Sequence, residues 1–132
     1  MEVTARMTES AMVARAAAAG SMVLLKNLRR TLPLLAEEGE PLPIAVFGSG
    51  QIRTALTAGI QPWRSVNVLD GLLASDQVTP DGLLAHKYRN FLLGNPDPSA
   101  QLTAGELELG AVAARTKAAV LVITRPHDAY DY

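Results

Sequence analysis

The chain has 132 residues, of which 48% are hydrophobic and 19% charged, with a formal net charge of −1. These values are typical of one soluble globular domain, and the scattered Lys and Arg residues form no basic patch for nucleic acid or for a membrane surface. The chain has no cysteine and only His86 and His127, which excludes disulfides and thiolate metal sites. We therefore predict no metal and no cofactor. Because no apolar stretch could span a bilayer and residues 1–15 do not resemble a signal peptide, we expect a cytoplasmic protein.

The first quarter of the chain predicts a helix, a strand and a turn. Residues 4–19 are rich in Ala, Met and Arg, which favour a helix, and Gly20 ends it. The apolar run at residues 22–25 follows directly and predicts a short strand. Residues 27–33 predict a turn in which Asn27 forms hydrogen bonds.

The central part of the chain predicts a buried strand followed by two helices. Residues 44–47 are an unbroken apolar run, which is typical of a parallel strand covered on both faces, and residues 48–50 (GSG) end it. Residues 66–74 and 82–93 predict helices, and the second of these has its apolar side chains on one side.

The last third predicts another helix and another buried strand. Residues 95–99 contain two prolines and end the preceding helix. Thr103 and Glu106 have the spacing of a capping box, which predicts a helix from there to about Lys117. Residues 119–123 predict a second buried strand. Because strands alternate with helices, we predict an α/β fold, a three-layer sandwich with a mostly parallel sheet and helices on both faces.

Three segments together form a recognisable pattern. They are residues 14–27 (ARAAAAGSMVLLKN) followed by 31–34 (TLPL), residues 44–51 (IAVFGSGQ), and residues 119–125 (AVLVITR). The pattern resembles the C-terminal-type α/β domain of family 3 glycoside hydrolases, and in particular the β-glucosidase-like subgroup in which this domain precedes the catalytic barrel. The resemblance implies that residues 1–132 form a single, truncated α/β domain of a glycosidase.

The resemblance also implies where a catalytic carboxylate would lie. Retaining glycosidases use two carboxyl groups about 5–5.5 Å apart, one as nucleophile and one as acid/base. The nucleophile of this family belongs to the barrel, which is absent from a chain far shorter than the ~250 residues of a typical barrel. The acid/base loop of the subgroup resembles residues 125–132, in which Asp128 is the nearest acidic residue. We therefore expect an accessory domain that is inactive alone and meets a carbohydrate substrate only with a barrel domain.

Four further residues are candidates for binding that substrate. Residues 57–68 match a glycine-rich loop of the subgroup, and Trp63 replaces part of it with an aromatic face suited to a pyranose. Arg64 and Arg125 are candidate donors to sugar hydroxyls, and His127 is a candidate contact. For each there is a structural alternative: Trp63 would anchor its loop in the core, the two arginines would be solvated, and residues 127 and 128 would belong to a C-terminal tail.

Two other functions compete with this interpretation. Residues 48–50 follow a strand as in a dinucleotide-binding fingerprint, but Arg53 occupies the position of the third glycine. A non-catalytic interaction module is the other alternative, because a domain that stops after a buried strand leaves an open sheet edge for another chain. We therefore expect a homo-oligomer formed through that edge.

Overall fold

A computed structural model describes residues 4–37, 39–53, 66–95, 97 and 100–124. The chain separates into two compact units, Met1–Pro33 and Leu34–Tyr132. In the part of the chain that the structure describes, no helix is both long enough and apolar enough to cross a bilayer.

The first unit consists of one helix followed by an irregular segment. Helix α1 (Ala5–Ser21) begins at Thr4, whose Oγ1 accepts a hydrogen bond from the Met7 N–H at 3.3 Å, and this confirms the predicted helix. The strand predicted at residues 22–25 is wrong. These residues pair with no strand of the described chain, and their side chains are exposed, Leu25 by 92%.

The predicted turn after this segment is present. It contains a 3-10 turn at Leu28–Arg30 and is closed by both ends of one amide side chain. Asn27 Nδ2 donates to the Leu32 carbonyl oxygen, and Asn27 Oδ1 accepts from the Leu32 N–H, each at 2.9 Å. The expected hydrogen-bonding role of Asn27 is therefore confirmed.

The second unit contains a three-stranded sheet in the order β2-β1-β3, in which both pairings are parallel. Strand β1 (Leu42–Phe47) lies in the centre, β2 (Val78–Pro80) on one side and β3 (Ala118–Leu121) on the other. Ile44 is paired with Pro80 and with Ala118. The predicted α/β fold with a parallel sheet is confirmed, and strands β1 and β3 lie at the two predicted positions. Strand β1 is buried as predicted. The burial predicted for the second strand is wrong, because β3 is an edge strand of the described sheet and its Leu121 is 66% exposed.

Alternate residues of β1 belong to two apolar clusters. Ile44 and Val46 pack with Leu72 of helix α2 (Val68–Leu73). Ala45 packs with Leu84 of helix α3 (Gly82–Gly94) and with Val112 of helix α5 (Leu109–Ala113). Because successive strand residues point to opposite faces, helices contact both faces of β1. The complete three-layer sandwich stays a prediction.

The helices agree with the predictions except at one position. Helices α2 and α3 lie within one or two residues of the predicted ranges and are capped by Asn67 and Asp81. The Thr103–Glu106 capping box is present, but the helix from it to Lys117 is wrong in length. It is interrupted at Glu108, where a left-handed φ of 51° separates α4 (Ala104–Leu107) from α5.

The interruption at Glu108 has a cause in α3. Lys87 Nζ lies 2.8 Å from the Glu108 carboxylate and donates to the Glu106 carbonyl oxygen at 2.7 Å. This one cation therefore binds the end of α4 and the residue that follows it. Gly105 and Gly110, on either side, weaken the helix further, since glycine disfavours helix interiors.

Candidate functional site at the carboxyl edge of the sheet

The sheet topology defines where a ligand site is expected. The connection after β1 leads to β2 on one side, whereas β3 lies on the other side of β1. In open parallel sheets of this order, ligands bind beyond the carboxyl ends of the two strands at which the direction of the connections reverses. Here those ends are Phe47 of β1 and Leu121 of β3.

The glycines after β1 allow the chain that leaves β3 to approach closely. Gly48 has a φ of +93°, and a Cβ added to it would lie 2.2 Å from the Val122 carbonyl oxygen. A Cβ added to Gly50 would lie 2.6 Å from Thr124 Cγ2. Both distances are shorter than a side chain tolerates, so Gly48 packs against the Val122 backbone and Gly50 packs against the Thr124 side chain.

The first two amides of this turn are already bonded to protein groups. The Gly48 N–H donates to the Tyr88 hydroxyl oxygen at 2.9 Å, and the Ser49 N–H donates to Gln101 Oε1 at 2.9 Å. The Ser49 hydroxyl donates to the Ala100 carbonyl oxygen at 2.6 Å, and Ser49 is 1% exposed. A phosphate-binding loop requires free amides, so this geometry argues against the nucleotide-binding alternative.

Arg53, which replaces the third fingerprint glycine, binds the end of α3. Its guanidinium donates to the carbonyl oxygens of Leu92 (3.2 Å), Asn95 and Asp97. These are carbonyls at and beyond the last turn of the helix, which have no partner within the helix itself. Arg53 is therefore occupied in holding this helix end near the glycine turn.

Gln51 is the buried polar residue of the site that is only half satisfied. Its side chain is 0% exposed, and Nε2 donates to the Val46 carbonyl oxygen at 2.8 Å. Oε1 has no hydrogen-bond partner among residues that the structure describes. An unpaired buried acceptor costs about 1–3 kcal/mol. Among the described residues, Gln51 Oε1 is therefore an acceptor that a further hydrogen-bond donor would stabilise.

The candidate residues chosen from sequence are not part of this geometry. Trp63, Arg64, Arg125, His127 and Asp128 all lie outside the described residues. In sequence, Arg125 directly follows Thr124, the residue packed against Gly50. Their assignment to acid/base and sugar contacts stays a prediction.

The structure instead brings together a set of polar residues that the sequence reasoning did not connect. They are Ser49, Gln51, Tyr88 and Gln101. The available signal was the GSGQ sequence directly after an apolar strand, since a buried strand end needs side-chain partners for its backbone groups. Tyr88 belongs to the apolar side of the helix predicted at residues 82–93, and that pattern does not indicate its hydrogen bond with Gly48.

A carboxylate beside β2 has a structural role. Asp81 accepts from Arg115 Nε at 2.7 Å and from the Leu84 N–H at 2.8 Å, and its side chain is 5% exposed. The hydrogen bond from Arg115 lowers the pKa of Asp81, and burial opposes this shift. A carboxyl group held ionised in this way is unsuited to act as a general acid. Within the described ranges, no cluster of three or more His, Asp or Glu side chains has the arrangement of a metal site.

An open apolar groove lies on one face of the sheet, beside β3. It has a volume of about 340 Å³ and is bounded by Phe47 of β1, Val112 of α5 and Ala119 of β3. Beyond it, Leu121 and Ile123 are 66% and 79% exposed. Since β3 is an edge strand of the described sheet, these side chains form an apolar border along an edge.

Comparisons with protein-family models, with curated proteins and with solved structures found no match to this chain. The resemblance to a glycosidase domain therefore rests on the sequence segments that carry it.

Proposed function

We propose that this chain is an accessory α/β domain of a β-glucosidase-like glycoside hydrolase, and that Asp128 is its acid/base carboxylate. In this proposal a separate barrel domain supplies the nucleophile and most of the sugar-binding groups. One observation supports it above the others: Thr124 lies against the glycine turn, at the point where the direction of the strand connections reverses. The segment that begins at Arg125 therefore follows directly from the part of the fold where α/β domains bind ligands.

The described carboxylates support the view that the chain is inactive alone. Hydrolysis with retention needs two carboxyl groups about 5–5.5 Å apart. Asp81 is held by Arg115, and Glu106 is held by Thr103 in the capping box, which lowers the pKa of both carboxyl groups. Both carboxylates are occupied in structural contacts, and in this proposal the nucleophilic carboxylate comes from the barrel domain.

The experiment measures release of the aryl group from an aryl β-glucoside. The chain alone should give no turnover, and addition of a separately produced family 3 barrel domain should restore it. Asp128→Asn should then lower kcat by roughly 10²-fold or more, since a positioned general acid contributes about 10²–10⁴-fold. The exposed Asp76→Asn provides a matched control and should leave kcat unchanged. Turnover by the chain alone, or an unaltered rate with Asp128→Asn, would overturn the proposal.

A second candidate function is supported by the apolar border beside β3. A non-catalytic module that assembles through its sheet edge would use β3, an edge strand of the sheet as far as the structure describes it, together with Leu121 and Ile123. Light scattering at micromolar concentration tests this candidate. We expect a mass above that of the monomer, and a strictly monomeric mass would exclude it.

A further inference from the structure

An exposed apolar segment of the first unit has the composition of a strand but no partner strand. It comprises Met22, Val23, Leu24 and Leu25, which are between 63% and 92% exposed. No hydrogen bond from a described residue reaches the backbone groups of residues 23–25. Four such apolar residues in succession are unusual on a protein surface, and they mark a segment that interacts with another surface. We call residues 22–25 the donor segment.

The second unit has a surface that fits such a segment. The acceptor edge is the outer side of β3 with the adjoining Leu121, Ile123 and the groove bounded by Phe47 and Val112. An added strand would gain main-chain hydrogen bonds from the edge, and its alternate side chains would contact the apolar border. This is the established mode of strand addition to a sheet edge.

The charges of the two units are complementary. Residues 1–33 contain five Lys and Arg against two Asp and Glu, a net charge of +3. Residues 34–132 contain seven Lys and Arg against eleven Asp and Glu, a net charge of −4. Three positively charged residues follow the donor segment within five positions: Lys26, Arg29 and Arg30. Their charges are opposite in sign to the net charge of the second unit. Opposite net charges accelerate encounter and disfavour contacts between like units.

We propose that the donor segment of one copy of this chain adds as a strand to the acceptor edge of a second copy. The second copy returns the same contact, which gives a closed two-fold dimer. This inference rests on the second candidate function, assembly through the β3 edge, and names the surface that the edge receives. A reciprocal arrangement of this kind leaves no unpaired acceptor edge for further growth.

The apolar surface area that the two contacts can bury predicts a weak dimer. Burying an apolar side chain removes about 60–120 Å² from water, as follows from its transfer free energy and about 25 cal/mol per Å². About six exposed side chains take part in each of two contacts, the four of the donor segment with Leu121 and Ile123. Together they bury on the order of 700–1,400 Å². Stable interfaces bury about 1,200–2,000 Å², so the dimer reaches only the lower limit of that range. We therefore expect dissociation in the micromolar range.

Sedimentation velocity of the full chain, from about 1 to 100 µM, tests the inference with two complementary variants. Leu24→Lys removes the donor, and Ile123→Lys removes the acceptor. Each variant alone should be monomeric, with self-association weakened at least tenfold. The mixed dimer keeps one intact contact of the two, because one intact donor meets one intact acceptor. An equal mixture should therefore associate more tightly than either variant alone and more weakly than the unmodified chain. Met12→Lys and Leu93→Lys, at exposed apolar positions of α1 and α3, are matched controls that should dimerise as the unmodified chain does.

Each other outcome overturns the inference in a distinguishable way. If Leu24→Lys dimerises normally while Ile123→Lys does not, two β3 edges pair with each other, and assembly through the edge survives without the donor segment. If the unmodified chain stays monomeric to 100 µM, edge assembly itself fails. If the mixture associates no more tightly than either variant alone, the donor segment and the acceptor edge do not meet in one contact.

Discussion

Asp81 connects three elements of the second unit, and its replacement tests how that unit is held together. Its Oδ1 accepts from the Leu84 N–H and caps α3, and its own N–H donates to the Ile44 carbonyl oxygen of β1 at 2.8 Å. Its carboxylate also pairs with Arg115, which precedes β3. Two substitutions separate the cap from the ion pair, because Asn caps helices about as well as Asp and carries no charge.

We expect Asp81→Ala to lower the free energy of unfolding by more than Asp81→Asn does. The alanine removes both interactions, whereas the asparagine removes only the pairing with Arg115. Loss of a helix cap costs about 1 kcal/mol, so the two variants should differ by about that amount. The ion pair contributes less than the cap, since Arg115 is 38% exposed and water screens the interaction. For a unit of this size, about 1 kcal/mol corresponds to roughly 4–8 °C in Tm.

The pairing also predicts a pH dependence. The hydrogen bond from Arg115 lowers the pKa of Asp81 below its value in the unfolded chain, which is about 3.9. A lowered pKa stabilises the folded state fully above about pH 4, and this contribution is lost as the pH falls through the folded-state pKa. The difference between the unmodified chain and Asp81→Asn should therefore be constant from pH 7 to about 5 and shrink below about pH 4.

Urea unfolding followed by far-ultraviolet circular dichroism measures these differences. Asp70→Asn serves as the control, because Asp70 and Arg89 are each about half exposed and lie 3.6 Å apart, a pair that contributes little. The reasoning is refuted if Asp81→Asn is as destabilising as Asp81→Ala. It is also refuted if the asparagine variant keeps its full deficit at pH 3.

Three other substitutions, one of them with a matched glycine control, give further tests by the same urea measurement. Gly48→Ala should lower the free energy of unfolding by about 2 kcal/mol or more, because its Cβ would meet the Val122 carbonyl oxygen at a positive φ. The control Gly71→Ala, in open space on a helix, should raise it by up to about 1 kcal/mol. Equal effects of the two substitutions would contradict this prediction. Tyr88→Phe should cost about 1–3 kcal/mol, since it leaves the buried Gly48 N–H without an acceptor, and a neutral result would show that another acceptor takes over. Thr103→Ala should cost about 1 kcal/mol through loss of the capping box, and no change would mean that the short α4 adds nothing to stability.

The sequence predicted the elements whose signals are local. The unbroken apolar run at Ile44 predicted β1, and the Thr103–Glu106 spacing predicted a capping box, because both signals depend on neighbouring residues alone. Strand β2 was missed, since it has only three residues and ends in Pro80, which normally argues against a strand. The strand predicted at residues 22–25 was wrong for the opposite reason: its composition favours a strand, but pairing depends on a partner that composition does not supply.

Much of the candidate site was beyond prediction because its contacts are distant in sequence. Ser49 is joined to Gln101, 52 positions away, and Gly48 to Tyr88, 40 positions away. Likewise, the break at Glu108 depends on Lys87 of another helix. No pattern within either segment indicates such a contact. The GSG sequence therefore suggested part of a dinucleotide-binding fingerprint, whereas the Gly48 and Ser49 amides bind side chains of the same chain.

The parallel sheet also has a consequence for how the chain folds. Parallel strands need long crossover connections, so this sheet contains no hairpin that could form early. Ile44 meets Pro80 36 positions later and Ala118 74 positions later. Contacts of such high contact order form slowly, because a long loop has to close before they are gained. During synthesis, the central strand therefore emerges long before its second neighbour, and its apolar residues are vulnerable to aggregation until residues 118–121 have left the ribosome.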